Sequence, residues 1–309
     1  MALLCYNTIV KVKVYAKLNL TLDVYAKQGA FHPIDSVVTS VDICDIVEVA
    51  VRTDGRINVC GVQGVEMERN TAYKAAVGFR RMFGHLVSKK INGVDIFVQK
   101  GIPFGGGLGG SSADAAAVVY CMCRLYGVDI YSGEVHELCA SLGSDVNFML
   151  FGGLARMQGK GDDVTLYKLN QPLYFAVTTF EQGMNTAEVY AAFDNINLKR
   201  EHNATRKSDN RGKLADETLA LLQQGANSEA IKLFTNDLQQ ATISLNNYAG
   251  DYLHYISSNG LQCCLTGSGS AYYVACATKA QAEQVAEKLN ARGFATRVCI
   301  SVPYGIVEI

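Results

Sequence analysis

Alternating apolar and polar positions open the chain. Over Ile9 to Tyr15, Lys11 and Lys13 stand opposite Val10, Val12 and Val14. The same period of two returns at Leu18 to Val24 and at Asp45 to Val51, so these segments predict strands. A 3.6-residue period predicts a helix over about Asn70 to Leu86, where Ala72, Ala75, Ala76, Phe79 and Met82 share a face. Val94 to Val98 reads as a short strand. Glycines between 105 and 110 break the pattern before an Ala-rich helix running to about Tyr126. Another helix is predicted over Glu134 to Leu142, with Gly143 as its C-cap. Strand signals resume after Gly153, and a boundary near residue 165 divides the chain into domains at 1–165 and 166–309. In the second half, strands at Phe175–Phe180, Gln262–Leu265, Ala271–Ala277 and Thr296–Ile300 alternate with helices. The clearest helix is Lys279 to Ala291, with Ala282, Val285, Ala286 and Leu289 at helical spacing. Mixed elements in two halves predict an α+β protein.

Composition narrows the class. The 309 residues are 49% hydrophobic and 18% charged, the profile of a soluble globular protein, and the net charge of −1 supplies no field for nucleic acid or an anionic membrane. No apolar run is long enough to cross a bilayer and no signal peptide is legible, so a cytoplasmic location is expected. The ten cysteines are irregularly spaced, and neither Cys121-Met122-Cys123 nor Cys263-Cys264 has metal-knuckle spacing. They read as reduced, mostly buried thiols. Residues 197–213 carry a basic cluster (Lys199, Arg200, Arg206, Lys207, Arg211, Lys213), but acids and asparagines interrupt it and it reads as a solvated, mobile surface connection. Nothing in the pattern separates a monomer from a homodimer.

The candidate chemistry lies in Lys100-Gly-Ile-Pro-Phe-Gly-Gly-Gly-Leu-Gly-Gly-Ser-Ser-Ala-Asp-Ala-Ala-Ala117. Clustered glycines let the backbone approach a ligand and turn its N–H groups inward. Ser111 and Ser112 add hydroxyls where a helix begins, and a helix N-terminus favours anions. Small residues behind them allow close packing. A phosphate cradle accounts for all three features. Gly105, Gly107 and Gly110 also satisfy G-x-G-x-x-G, with Asp129 at the distance of a ribose-binding acid. Against a dinucleotide site, Pro103 and Phe104 separate the glycines from the preceding strand, and Val128 to Tyr131 makes a poor second strand. No G-K-[ST] is present, which excludes a Walker A loop.

Four segments together resemble the GHMP kinases, a superfamily named for galactokinase, homoserine kinase, mevalonate kinase and phosphomevalonate kinase. Ala16-Lys17-Leu18-Asn19-Leu20, with Phe31-His32 and Ser36 through Asp45-Ile46-Val47, is similar to the family's A-K-[IL]-N-L, G-Y-H and D-x-[VIL]. The glycine loop running into Asp114-Ala115-Ala116 resembles G-L-G-G-G-S-S-D-A-A. Leu142-Gly-Ser-Asp-Val-Asn-Phe148, with Gly152-Gly153 and Gly159-Lys160-Gly161, resembles G-[AS]-D-V-P-F, G-G and G-[RK]-G. Thr186-Ala-Glu-Val-Tyr190, Asn236-Asp237-Leu238 and Leu265-Thr-Gly-Ser-Gly269 are similar to S-T-x-x-[VI]-[YF], N-D-L and a late glycine motif. Departures are Ala30 and Phe31 before His32, Asn147 for proline, Asn185 for serine, Ser111 for glycine and Ala113 for serine.

The resemblance implies an N-terminal domain like ribosomal protein S5, a C-terminal ferredoxin-like domain, and a kinase using ATP and Mg²⁺ on a small-molecule alcohol. The branch most resembled phosphorylates the 2-hydroxyl of a cytidylylated methylerythritol in non-mevalonate isoprenoid precursor synthesis. Another alcohol, or a nucleotide-binding homologue without turnover, are the alternatives. By resemblance alone, Asp145 accepts or orients the hydroxyl proton and Lys17 is its cationic partner. Taken without it, a strand lysine is an ordinary solvated charge and an aspartate after Gly-Ser an ordinary cap. ATP would lie along Pro103, Gly105, Gly106, Gly107, Leu108, Gly109, Gly110, Ser111, Ser112 and Ala113, with Ser112 the hydroxyl nearest Mg²⁺ and Ser111 second. The acceptor would meet Asn19, Phe31, His32, Thr186, Tyr190, Gly267 and Gly269. In that scheme Phe31 and Tyr190 sandwich a cytosine and His32 reads its edge, the alternative being core aromatics and a structural histidine.

Overall fold

The computed structural model describes residues 9–62, 64–85, 93–201 and 212–309. The two alternating segments at the start are one strand, β1 (Ile9–Val24). Its partner β2 (Ile34–Arg52) begins eleven residues before the predicted Asp45. Alternation hides that first part because every residue from Asp35 to Val41 is buried, so both faces of the strand are covered. β1 and β2 pair antiparallel, with register shifts between Tyr15 and Ala16 and between Asn19 and Thr21. These irregularities bracket Lys17 and Asn19, which share a face by the two-residue period.

The chain continues through β3 (Ile57–Cys60), α1 (Thr71–Phe83), β4 (Gly93–Gln99), α2 (Gly110–Tyr126), α3 (Gly133–Leu142), α4 (Val146–Phe151), β5 (Leu154–Gly159), β6 (Asp163–Tyr167) and β7 (Tyr174–Thr178). Then follow α5 (Thr186–Glu201), α6 (Lys213–Gln224), α7 (Asn227–Ala230), β8 (Thr235–Asn236), α8 (Gln239–Leu245), α9 (Gly250–Ser258), β9 (Cys264–Leu265), β10 (Tyr272–Cys276), α10 (Lys279–Asn290), β11 (Thr296–Val302) and β12 (Ile306–Glu308). The predicted surface connection at 197–213 is helical up to Glu201, and its residues 202–211, including Arg206, Lys207 and Arg211 of the basic cluster, lie outside the described residues.

Local chemistry explains the helix starts. The Asn70 side chain accepts from Ala72 N–H and caps α1, Ser132 caps α3, and Thr278 with Gln281 forms a capping box on α10. α2 differs: its N-cap is Gly109 in a left-handed conformation, with no side chain to cap the helix. Behind that bare end, Ala113, Ala115, Ala116 and Ala117 are fully buried. Small side chains there let α2 pack close against the sheet and α1.

A single hydrogen-bonded path, β12-β1-β2-β11-β7-β10-β9, runs through both halves of the molecule. β11 makes the join, pairing with β7 over Thr296–Ile300 and with β2 through Ser301 and Val302. One core lies between the first sheet and α1–α4. A second core, around Tyr252, Tyr272, Leu238 and Leu265, lies under the later sheet and also takes in Leu22 and Val24 at the end of β1. β1 thus runs from one core into the other, and its middle passes the cleft. Among the described residues no helix is long and apolar enough to cross a membrane.

Candidate active site

A cavity of about 1380 Å³ opens where β1, the glycine loop, α5 and the 267–269 turn meet. Its lining includes Lys17, Asn19, Phe31, His32, Pro103, every residue from Gly105 to Ser112, Asp145, Thr186, Tyr190, Gly267 and Gly269. Ala113 is the one expected contact outside the wall. Its side chain is fully buried and its N–H donates to Gly109 O at 2.9 Å.

The glycine loop is fastened on two sides. Leu108 O accepts from Lys17 N–H at 3.1 Å, and Gly105 O and Gly106 O accept from Ser270 and Ala271 N–H at 3.2 and 3.1 Å. At Gly107, with φ +73°, a Cβ would fall 2.1 Å from Thr266 O, and at Gly109, with φ +77°, one would meet Met149 Cε at 2.0 Å. These two glycines serve contact with protein. The first turn of α2 is what faces the ligand space, because its leading N–H groups have no intrahelical acceptor and its Gly109 cap offers none. A seventeen-residue helix adds its dipole to the same point. The arrangement fits a polyphosphate.

Lys17 and Asp145 meet across this end. Lys17, only 4% exposed, donates to Asn19 Oδ1 at 2.5 Å and lies 3.7 Å from Asp145 Oδ2. Asn19 Oδ1 also accepts from Gly267 N–H at 2.9 Å, and its amide donates to Ser36 Oγ at 2.8 Å, which locks the group that holds the lysine. Asp145 occupies the N-cap position of α4, yet its side chain makes no cap hydrogen bond. Its carboxylate, 31% exposed, is left to Lys17 and the cavity. Burial, and after it the Asp145 charge, pushes the Tyr190 phenol up to about 12, so the tyrosine is a neutral wall beside the pair.

Three charged residues that the sequence did not single out lie beneath the loop. Lys100 Nζ donates to Asp45 Oδ2 at 2.6 Å and to Asp114 Oδ2 at 2.8 Å. The other oxygen of Asp45 accepts the N–H groups of Gly101 and Ile102 at 2.7 and 2.8 Å, pinning the start of the loop. Asp114 Oδ1 is buried without a partner. The available signal was Asp45 in the D-x-[VIL] match, whose partner could not be read from spacing.

At the far end, Thr186 Oγ1 lies 2.9 Å from Ser268 Oγ, and Asn185 takes the place of serine by accepting Ala187 N–H at 3.0 Å. Lys160 Nζ sits 4.8 Å above the Phe31 ring, while the Tyr190 ring lies tilted by 32° against His32, centroids 5.2 Å apart. The dinucleotide reading fails on the fold: no strand forms at 128–131, and Asp129 accepts Tyr131 N–H in a turn.

Comparison with known proteins decides the family. The model of the GHMP kinases N terminal domain matches residues 70–153, and that of the GHMP kinases C terminal matches residues 214–295. The chain belongs to the GHMP kinases.

Like the rest of that family, this GHMP kinase uses ATP and has the two-domain α+β architecture. It is 31% identical over 285 residues to a 4-diphosphocytidyl-2-C-methyl-D-erythritol kinase of Caldicellulosiruptor saccharolyticus, covering 90% of this chain and 92% of that one. A crystal structure of 4-(cytidine 5'-diphospho)-2C-methyl-D-erythritol kinase superposes with a TM-score of 0.73 at 25% identity, covering 94% of this chain and 98% of the other. Homoserine kinase from Cytophaga hutchinsonii superposes with a TM-score of 0.74 at 17% identity over the whole of both chains. The fold is therefore common to kinases of different alcohols, and only side chains can choose between acceptors.

Proposed function

We infer that this kinase transfers the γ-phosphoryl group of ATP to the 2-hydroxyl of 4-diphosphocytidyl-2-C-methyl-D-erythritol. The observation that carries this reading is the position of the Lys17–Asp145 pair, between the bare N-terminus of α2 and a far wall of aromatic and hydroxyl side chains. A cavity of about 1380 Å³ exceeds the roughly 300–1,000 Å³ usual for one ligand, which suits two nucleotide-sized molecules lying end to end.

ATP lies with its phosphates on the Gly110–Ser112 amides. The acceptor hydroxyl faces Asp145, whose carboxylate takes the proton as the oxygen–phosphorus bond forms and the bond to the ADP oxygen breaks. Lys17 balances the charge gathering on the transferring group, and Asn19 fixes its ammonium so that little reorganisation is needed. Among the described residues no three His, Cys, Asp or Glu side chains converge as a metal cage. Mg²⁺ would thus be held mainly by ATP, with the Ser112 hydroxyl beside it, and would neutralise phosphate charge. On the acceptor side, Phe31 and Tyr190 offer ring faces to the base, and Asn19, Thr186, Gly267 and Gly269 surround the methylerythritol end. The nine described cysteines form no disulfide, which suits a reducing cytoplasm.

The test is ADP release with Mg²⁺-ATP and the cytidylylated alcohol, mevalonate, homoserine or galactose in separate reactions. Turnover confined to the cytidylylated alcohol and lost in Asp145→Asn is the expected result. Turnover on another alcohol alone would overturn the acceptor assignment.

A further inference from the structure

His32 is expected to read the edge of the acceptor's base, but its ring has little left to offer. The side chain is 5% exposed. Its Nδ1 lies 2.9 Å from Tyr25 O, and since a carbonyl only accepts, that nitrogen donates inward. Its Nε2 faces Asp194 Oδ1 at 3.3 Å. One face of the ring is against Tyr190, and Phe193 meets it edge-on at 6.1 Å.

The polar group open to the cavity here is Asp194. Its carboxylate is 37% exposed and belongs to the cavity wall. It lies four residues beyond Tyr190 and eight beyond Thr186, so α5 presents all three along one stripe. Among the described residues, His32 is its sole recorded ion-pair or hydrogen-bond partner, which leaves Oδ2 for a ligand. The ring face of Tyr190 away from His32 supplies the adjoining stacking surface.

We propose that Asp194, on the wall beside His32, selects cytosine over uracil at the acceptor end of the cavity. This rests on the cytidylylated acceptor proposed above. The chemistry is a difference of one group: an ionised carboxylate can only accept hydrogen bonds. The exocyclic amine of cytosine donates to it, as in the pairing of acidic side chains with cytosine N4 elsewhere. Uracil presents a carbonyl oxygen at the same position, so lone pairs face lone pairs across a partly desolvated contact. Rejection by an unpartnered acceptor is a stronger filter than shape, because the two bases are nearly the same size.

The experiment compares kcat/KM for the cytidylylated alcohol and its uridylylated analogue in wild type and Asp194→Asn, with CDP and UDP as competitive inhibitors of each. Wild type is expected to favour cytosine by tenfold to about a hundredfold in both readouts. In Asp194→Asn, whose amide can turn either face outward, that ratio should shrink at least about tenfold through KM, with kcat on the cytidylylated alcohol nearly unchanged. An unchanged ratio in the variant overturns the role of Asp194 and leaves the kinase reading standing. Equal KI values for CDP and UDP in wild type overturn it without any variant having to fold. A wild type inactive on both alcohols but active on another removes the acceptor assignment and this inference with it.

Discussion

Asp45 and Lys100, 55 residues apart in the chain, meet at 2.6 Å with the aspartate side chain wholly excluded from solvent. Asp114 stands on the other side of the same ammonium. Two carboxylates thus share one lysine beneath the glycine loop, which leaves the group one negative charge in excess if all are ionised. Burial, only partly offset by Lys100 and reinforced by the charge of Asp45, pushes Asp114 up to about 7. Its proton relieves the excess.

The linkage sign follows. Between about pH 4 and pH 7 the folded protein holds a proton on Asp114 that the unfolded chain, with an ordinary carboxylate, has released. Stability from this group is therefore present at low pH and lost as pH rises through 7. Asp114→Asn imitates the protonated acid at every pH. Urea unfolding at pH 5 and pH 8 should give wild type a loss on the order of 1–2 kcal/mol beyond that of the variant. Parallel losses would contradict a protonated Asp114.

Lys17 should show stability and activity moving apart. It is a buried cation, 3.7 Å from its carboxylate, so its desolvation offsets much of the attraction. Lys17→Met keeps the unbranched volume and removes the charge. Melting temperature should stay within a few degrees of wild type or rise, while kcat falls at least about a hundredfold. A large drop in melting temperature would recast Lys17 as a structural ion pair.

Two glycines offer a matched contrast. Gly107→Ala drives a Cβ against Thr266 O and strains a left-handed backbone, so the loop must part from the 266–269 turn. ATP affinity and stability should both fall, the latter by a few kcal/mol. Gly133 begins α3 and a Cβ there meets nothing within 4 Å. Gly133→Ala should leave turnover intact and stabilise by about 0.4–1 kcal/mol in thermal unfolding.

Asn236 explains why an N-D-L match lies far from the glycine loop yet belongs to the site. Its amide donates to Leu265 O and Gly267 O, both at 2.8 Å, and its Oδ1 accepts Leu238 N–H at 2.9 Å. Asn236→Ala leaves those buried groups unpaired, at a cost of about 1–3 kcal/mol. Gly267 lines the cavity at the end proposed for the acceptor, so the acceptor's KM should rise more than that of ATP. Equal changes in the two constants would refute a local effect.

Helix and strand positions set by local periodicity were legible. α2 ends at Tyr126 as its pattern implies, and α10 starts at Lys279 behind its capping box. What escaped was set by distant neighbours. The first half of β2 carries no alternation because both of its faces are buried, and β11 joins two sheets by a pairing that no local signal encodes. The site divides in the same way. The glycine loop announced itself, but the sequence could not tell glycines that admit a ligand from Gly107 and Gly109, which admit Thr266 and Met149. Lys100 opens the loop segment, yet its two carboxylates come from separate elements, β2 and α2. Asp194 could have been found by extending the Thr186–Tyr190 spacing one more turn along α5.

β12 lies antiparallel beside β1, with Val12 opposite Glu308 and Ile309 N–H donating to Lys11 O at 2.9 Å. The strand that carries Lys17 is made nearly three hundred residues before the strand that covers its outer edge. While the ribosome is still at work, β1 therefore exposes an unpaired row of N–H and C=O groups over Val12–Val14. During that interval the nascent kinase is open to mispairing with strands of its neighbours, and the arrival of Ile306–Glu308 ends that vulnerability.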